Sequence, residues 1–334
     1  LKTVNDILIF SFFKDEFLIA RNAYNFIKVL RFITNLFTKN NKLDFETQIE
    51  IAKRTASGKL SLSNKALVER MMAKYYEHAH YISHFNTLVY QFFEEKKYSF
   101  KNKKGLYRNG SKVGFANVSL EENKELIFKV FLEIGNNKKI NAVDVQTSIV
   151  LKKNNSLIDN DFRKNAHFAE QFLNILKSKY NLSSILKAMR DLGLLQRYIP
   201  EFSRVVGQMQ FDLFHIYTVD EHTFKVVRNM RQMKIFNQKG FELEHELINK
   251  LPKIELLFIA GLFHDLGKGK GGDHSKIGSK ACYKFSRRLG LSKVDSNLTS
   301  WLVEKHLEMS SVSQKKDISE PVSYTHLRAH ETNV

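Results

Sequence analysis

Residues 255–274 read Glu-Leu-Leu-Phe-Ile-Ala-Gly-Leu-Phe-His-Asp-Leu-Gly-Lys-Gly-Lys-Gly-Gly-Asp-His, and this stretch decides the fold. An apolar run delivers an adjacent His264-Asp265 pair, and a glycine-rich loop follows with another histidine, His274. Residues 256–263 are apolar nearly all round, so a helix here is buried rather than amphipathic. Titratable groups carried into a core without a partner cost on the order of several kcal/mol. The natural partner for His beside Asp is a metal cation, so the pair reads as the floor of a metal site. The loop at 267–272 is not a Walker loop, because the spacing and the Ser/Thr after Lys are absent. Its glycines terminate the helix, and Lys268 either approaches a phosphate there or is solvated.

Working outward, Pro252 can open this helix. Upstream, Thr218-Val-Asp-Glu221 fits a capping box, which places His222 in the first turn of a helix with Phe224, Val227 and Met230 at its apolar positions. Downstream, Ser292-Lys-Val-Asp295 is another cap, and Leu298, Trp301, Leu302 and Met309 define a helix carrying His306. Asp317 follows in a polar segment. His222, His264, Asp265, His274, His306 and Asp317 thus come from separate elements. A mixed imidazole and carboxylate set suits a divalent ion such as Mn, Mg, Fe or Zn. Such an ion acidifies a bound water for attack on phosphorus.

The rest of the 334-residue chain is helical in character, with only 3 prolines and 15 glycines. Residues 1–98 read as all helix. Phe26, Val29, Leu30, Ile33 and Phe37 form one apolar stripe. Leu67, Met71, Tyr75 and Ile82 form another, opened by Ser61 or Ser63. His78, His80 and His84 lie in that second helix with no acidic cluster nearby, so they read as packed or solvated side chains. A basic linker follows, and residues 99–205 form a middle segment in which Asn109-Gly110 marks a small hairpin near 106–118. Residues 206–320 hold the constellation. Residues 321–334 continue no pattern and are set aside as a non-native tail.

The net charge of +18 raises nucleic acid as a partner. No RGG tract, zinc knuckle or aromatic-interleaved basic repeat accompanies it, so solvated helix faces account for the charge. The single cysteine, Cys282, excludes an internal disulfide and thiolate zinc sites. No run approaches the ~20 apolar residues of a membrane span, and no signal peptide opens the chain, so the expected location is the cytoplasm.

The order His, His-Asp, Asp resembles the HD superfamily of metal-dependent phosphohydrolases. Longer runs sharpen the likeness: Val206-Gly-Gln-Met-Gln-Phe-Asp-Leu-Phe-His-Ile-Tyr-Thr-Val-Asp-Glu-His-Thr, then Gly-Leu-Phe-His264-Asp-Leu-Gly-Lys-Gly-Lys-Gly-Gly-Asp-His-Ser, then Trp301-Leu-Val-Glu-Lys-His-Leu-Glu-Met-Ser-Ser, then Asp317-Ile-Ser. Together they resemble the family of bifunctional uridylyltransferase/uridylyl-removing enzymes of bacterial nitrogen sensing, over about 1–320. The resemblance implies an enzyme that transfers UMP from UTP to a tyrosine of the PII signal protein and removes it hydrolytically, removal belonging to the HD domain. It also implies a fragment, because the family's N-terminal nucleotidyltransferase motif and C-terminal ACT domains are not found here. The expected fold is mainly α: a helical linker region, a middle segment with a small β-hairpin, and an all-α HD-type phosphohydrolase domain.

In the leading reading His222, His264, Asp265 and Asp317 form the core metal site. His274 and His306 hold a second ion or the phosphate, and Lys268 neutralises charge on the phosphoryl group. The partner is UMP-modified PII, UMP is the product, and neither membrane nor nucleic acid is involved. Two readings stand beside it: a hydrolase of free or signalling nucleotides, and a catalytically silent module that binds PII or nucleic acid.

Overall fold

The structure is a computed structural model and describes residues 13–38, 42–56, 62–95, 105–209, 217–269 and 271–315. The chain divides into two compact units, Leu1–Ser99 with Val206–Asp220, and Phe100–Val205 with Glu221–Val334.

The first unit contains α1 (Lys14–Phe37), α2 (Phe45–Thr55) and α3 (Asn64–Glu95). Asp44 caps α2 by accepting from the Thr47 N–H, and Ser63 caps α3 by accepting from the Ala66 N–H at 3.3 Å. Ala52, Val68, Met72 and Met209 form one buried cluster of this unit. The α1 stripe is narrower than its spacing predicts: Leu30 is buried and Phe26 stacks on His78 at 4.2 Å, but Val29 and Phe37 are exposed. The packed reading of His78 follows from that stacking, and His80 lies against His84.

The second unit opens with the expected hairpin, β1 (Gly105–Asn109) and β2 (Lys112–Ala116), turning at Gly110 with positive φ. A two-residue strand, β3 (Ala142–Val143), pairs parallel with β2 and extends the hairpin to a three-stranded sheet. Helices follow: α4 (Leu126–Asn136, before β3), α5 (Val145–Lys153), α6 (Asn160–Lys164), α7 (Ala166–Leu176), α8 (Leu182–Asp191) and α9 (Leu194–Tyr198). Asp144 and Asp159 cap α5 and α6. An aromatic core gathers around Tyr198, with Phe128 at 5.1 Å, Phe172 at 4.7 Å and Phe285 at 6.2 Å between ring centroids.

Next come α10 (Val219–Ile235), α11 (Glu242–Lys250), α12 (Ile254–Phe263), α13 (His274–Arg288), α14 (Lys293–Glu304) and α15 (Glu308–Lys315). Helix α12 has no polar face: Phe258, Ile259, Leu262 and Phe263 are fully buried, each contributing about 1.5–3 kcal/mol. It packs against α7, α13 and α14. Its one carboxylate, Glu255, is buried in the first turn and pairs with Lys177 at 3.4 Å. Pro252 precedes the N-cap residue rather than opening the helix itself. Helices α13 and α14 form an antiparallel pair sealed by a buried Ser286–Thr299 hydroxyl bond of 2.9 Å. The Ser292 cap on α14 forms as its sequence predicts.

Candidate metal centre

The four imidazoles and the carboxylate reach one place because helices end there. His264 is the C-cap residue of α12, and Asp265 follows it. His306 lies just past the end of α14, in a three-residue break before α15. The continuous helix expected through Met309 is interrupted there, and Met309 is left exposed. His274 is the first residue of α13, capped by Asp273. His222 lies in the first turn of α10. Two helix C-termini and two helix N-termini thus meet at the site, so their dipoles oppose one another and the side chains set its charge.

The loop between His264 and His274 returns tightly. A Cβ at Gly267 would lie 2.1 Å from the His274 carbonyl oxygen, so only glycine lets the start of α13 approach. Gly278 does the same one turn on, since a Cβ there would meet the Phe263 carbonyl oxygen at 2.9 Å.

Asp265 is the hub. Its Oδ2 faces His264 Nε2 at 3.2 Å and His222 Nε2 at 3.7 Å. Its Oδ1 faces His306 Nε2 at 3.8 Å and His274 Nε2 at 3.9 Å. The carboxylate is 3% exposed, and the Lys268 ammonium lies 2.8 Å from Oδ2. Burial alone would raise this carboxyl, but hydrogen bonds and charge from His264 and Lys268 outweigh it and hold Asp265 well below the usual carboxylate range. Burial lowers His306, against a hydrogen bond to Val303 that favours its charged form.

Two backbone carbonyls orient the rings. His264 Nδ1 is 2.8 Å from the Gly261 carbonyl oxygen, and His306 Nδ1 is 2.7 Å from that of Val303. A carbonyl only accepts, so each Nδ1 carries a proton, which fixes each ring with its Nε2 toward Asp265; protonated, that atom is a charge partner of the carboxylate, and deprotonated it can ligate a cation. Among the described residues, His222, His264 and Asp265 form one group able to hold a metal ion, and Asp265, His274 and His306 form a second.

Of the residues singled out in the sequence, His222, His264, Asp265, Lys268, His274 and His306 are brought together. Asp317 lies outside the described residues, as does the 321–334 stretch. The ring-orienting carbonyls were missed, although both follow one rule: a histidine at a helix end meets the orphan carbonyl three residues back. Also missed was the ion pair that holds Glu221. Its carboxylate accepts from Lys187 at 2.7 Å and Arg190 at 2.6 Å, a stronger demand than the capping role its spacing predicts.

An all-α domain centred on a buried His-Asp pair with outlying histidines has the make-up of the HD class, and residues 219–330 match the family model of the HD domain. Residues 116–198 match that of the uridylyltransferase GlnD third domain. The bifunctional uridylyltransferase/uridylyl-removing enzyme of Azotobacter vinelandii is 35% identical over 322 residues, covering 92% of this chain and 35% of that protein. That of Ectopseudomonas mendocina is 35% identical over 320 residues, with the same coverage of 92% and 35%. That of Pseudomonas aeruginosa is 36% identical over 266 residues, 77% of this chain and 30% of the relative. The chain is therefore a homologue of the bifunctional uridylyltransferase/uridylyl-removing enzymes, and it spans about a third of the length of the relatives it matches. No helix among the described residues is long and apolar enough to cross a membrane.

Proposed function

We propose that this chain hydrolyses the phosphodiester linking UMP to a tyrosine of the PII signal protein, in the cytoplasm, with a divalent ion. The observation that carries this reading is the convergence of His222, His264, His274 and His306 on the two oxygens of Asp265. The donor set fits such an ion: Asp265 is held ionised, and the Nδ1 atoms of His264 and His306 are committed to backbone carbonyls, which leaves Nε2 as the ring nitrogen that an ion displacing its proton would take. Carboxylate suits Mn²⁺ or Mg²⁺, the ions favoured here, and imidazole suits Fe²⁺ or Zn²⁺, so the mixed set takes an ion from this group.

In this reading His222, His264 and Asp265 hold the ion, with Asp317 as a further ligand. His274 and His306 share the other Asp265 oxygen and hold a second ion or the phosphate. When bound, the ion would supply Lewis-acid stabilisation of the phosphoryl oxygens and acidify a water for attack on phosphorus. The chain's own part is to fix the rings, exclude water from Asp265 and set positive charge beside the reacting group. Lys268, 11% exposed and beside Asp265, brings an ammonium to the edge where a phosphoryl group would sit. No membrane or nucleic acid enters this scheme.

The test is release of UMP from uridylylated PII with added Mn²⁺. The expected result is turnover that Asp265→Ala abolishes. A well-folded chain that releases no UMP, and behaves as Asp265→Ala does, rejects the reading. Free and signalling nucleotides assayed in parallel, compared by kcat/KM, show whether the protein-linked substrate is preferred.

A further inference from the structure

His264 and His306 are oriented by carbonyls of their own helix ends. His222 reaches Asp265 from a separate helix, α10, so the first turn of α10 must be held in place. That turn is gripped by α8. Glu221 accepts from Lys187 Nζ and from Arg190 Nη1. The Arg190 guanidinium lies over the Phe224 ring, 5.2 Å from its centroid, and the Phe224 carbonyl accepts from the Ser183 hydroxyl at 3.5 Å. Residues three apart share a helix face, so Glu221 and Phe224 form one docking surface against α8. His222, one residue on from Glu221, is turned roughly 100° away from that surface.

Arg190 is itself immobilised. Its side chain is 6% exposed and pairs with Asp191 at 2.8 Å, and its carbonyl accepts from Gln196 at 2.9 Å. A flat guanidinium set between a carboxylate and a ring fixes the rotation of the turn as well as its height, which a flexible ammonium does not. Helix α8 lies inside the third-domain match, and Glu221 and Phe224 lie inside the HD match.

We infer that Arg190, supported by Lys187, is a positioning residue for His222, through which the third-domain segment sets the affinity of the HD centre for its divalent ion. The inference rests on the metal reading above. Outer partners of metal ligands typically change affinity 10–100-fold. Arg190→Met keeps the stem over Phe224 and removes the clamp, and Glu221→Gln removes the charge it grips.

Mn²⁺ is titrated into the full chain, and free ion is followed by electron paramagnetic resonance. Each variant is expected to raise Kd about tenfold, with the double variant no worse than the larger single effect, because both break one interaction. Circular dichroism checks folding; if Arg190→Met does not fold, Glu221→Gln carries the test. An unchanged Kd in the folded variants overturns the inference. Asp265→Ala is the control for the metal reading: if wild type and this variant bind Mn²⁺ equally poorly, that reading fails by itself. The clamp is then decided by amide hydrogen exchange over residues 219–224. Selective loss of protection in Arg190→Met sustains it, and unaltered protection overturns it.

Discussion

At the residue scale, Asp265 is a buried anion whose ionisation depends on cations around it. Lys268 is the nearest, 2.8 Å away and itself largely buried. Lys268→Met removes that charge and leaves the carboxylate short of a partner, so stability should fall by about 1–3 kcal/mol. Added Mn²⁺ should then raise the Tm of Lys268→Met more than that of wild type, since an ion bound to the native state alone stabilises it. The absence of a shift in either protein would count against a cation at this carboxylate. Tyr198 poses the opposite case. Its hydroxyl is buried with no hydrogen-bond partner among the described residues. Burial pushes the phenol from 10.0 up to about 12, against the Arg288 charge, which lowers it. The neutral phenol is favoured in the folded state, so this contribution is whole below pH 10 and is lost as the pH rises toward about 12. Tyr198→Phe should be neutral or stabilising by up to about 1 kcal/mol in denaturant melts. It should also weaken the loss of stability across that alkaline window.

At the element scale, the site is a matter of where helices stop. Gly267→Ala should cost about 1–3 kcal/mol, because the new methyl meets backbone rather than a flexible side chain. It should also weaken Mn²⁺ binding by shifting His274, and calorimetric titration reads both effects. Ser292→Ala should cost about 1 kcal/mol of thermal stability with little effect on ion binding, since the cap lies at the other end of α14 from His306. Much at this scale was legible in the sequence. The all-round apolar run of α12 meant burial, Asn109-Gly110 meant a hairpin, and Ser292 meant a helix start. What was not legible needed a partner from elsewhere. Strand β3 is two residues long and exists only because β2 pairs with it. The break at 305–307 is hidden because Leu302 and Met309 stay in helical phase, while the His306 contact to Val303 marks the departure. The Arg190–Glu221 pair joins residues 31 positions apart, and no periodicity encodes it.

At the scale of the whole molecule, carboxylates dominate the expected response to acid. Asp44, Asp159 and Asp273 sit at helix N-caps and are held below their ordinary value, first by hydrogen bonds from Thr47, from the Phe162 N–H and from the Lys276 N–H respectively. Asp295 is lowered first by its bond from Lys253. Lowered carboxyls bind fewer protons in the folded than in the unfolded chain, so their stabilisation is present above pH 3.8 and is lost as the pH falls below it. Urea midpoints should therefore drop below about pH 4, after a smaller decline below pH 6.5 from His306, which burial keeps neutral in the folded chain. A midpoint flat down to pH 3 would mean that these caps contribute little. The histidines that gather at Asp265 were legible because their chemistry is unusual in an apolar setting. Their mutual distances were not, because these depend on four helix ends meeting.

Helix α12 has no side that tolerates water. Until its neighbours close over it during synthesis, it is a strip of oil exposed to the cell. Variants that loosen α13 or α14 should therefore be lost as insoluble aggregates or chaperone clients before any milder defect can be seen.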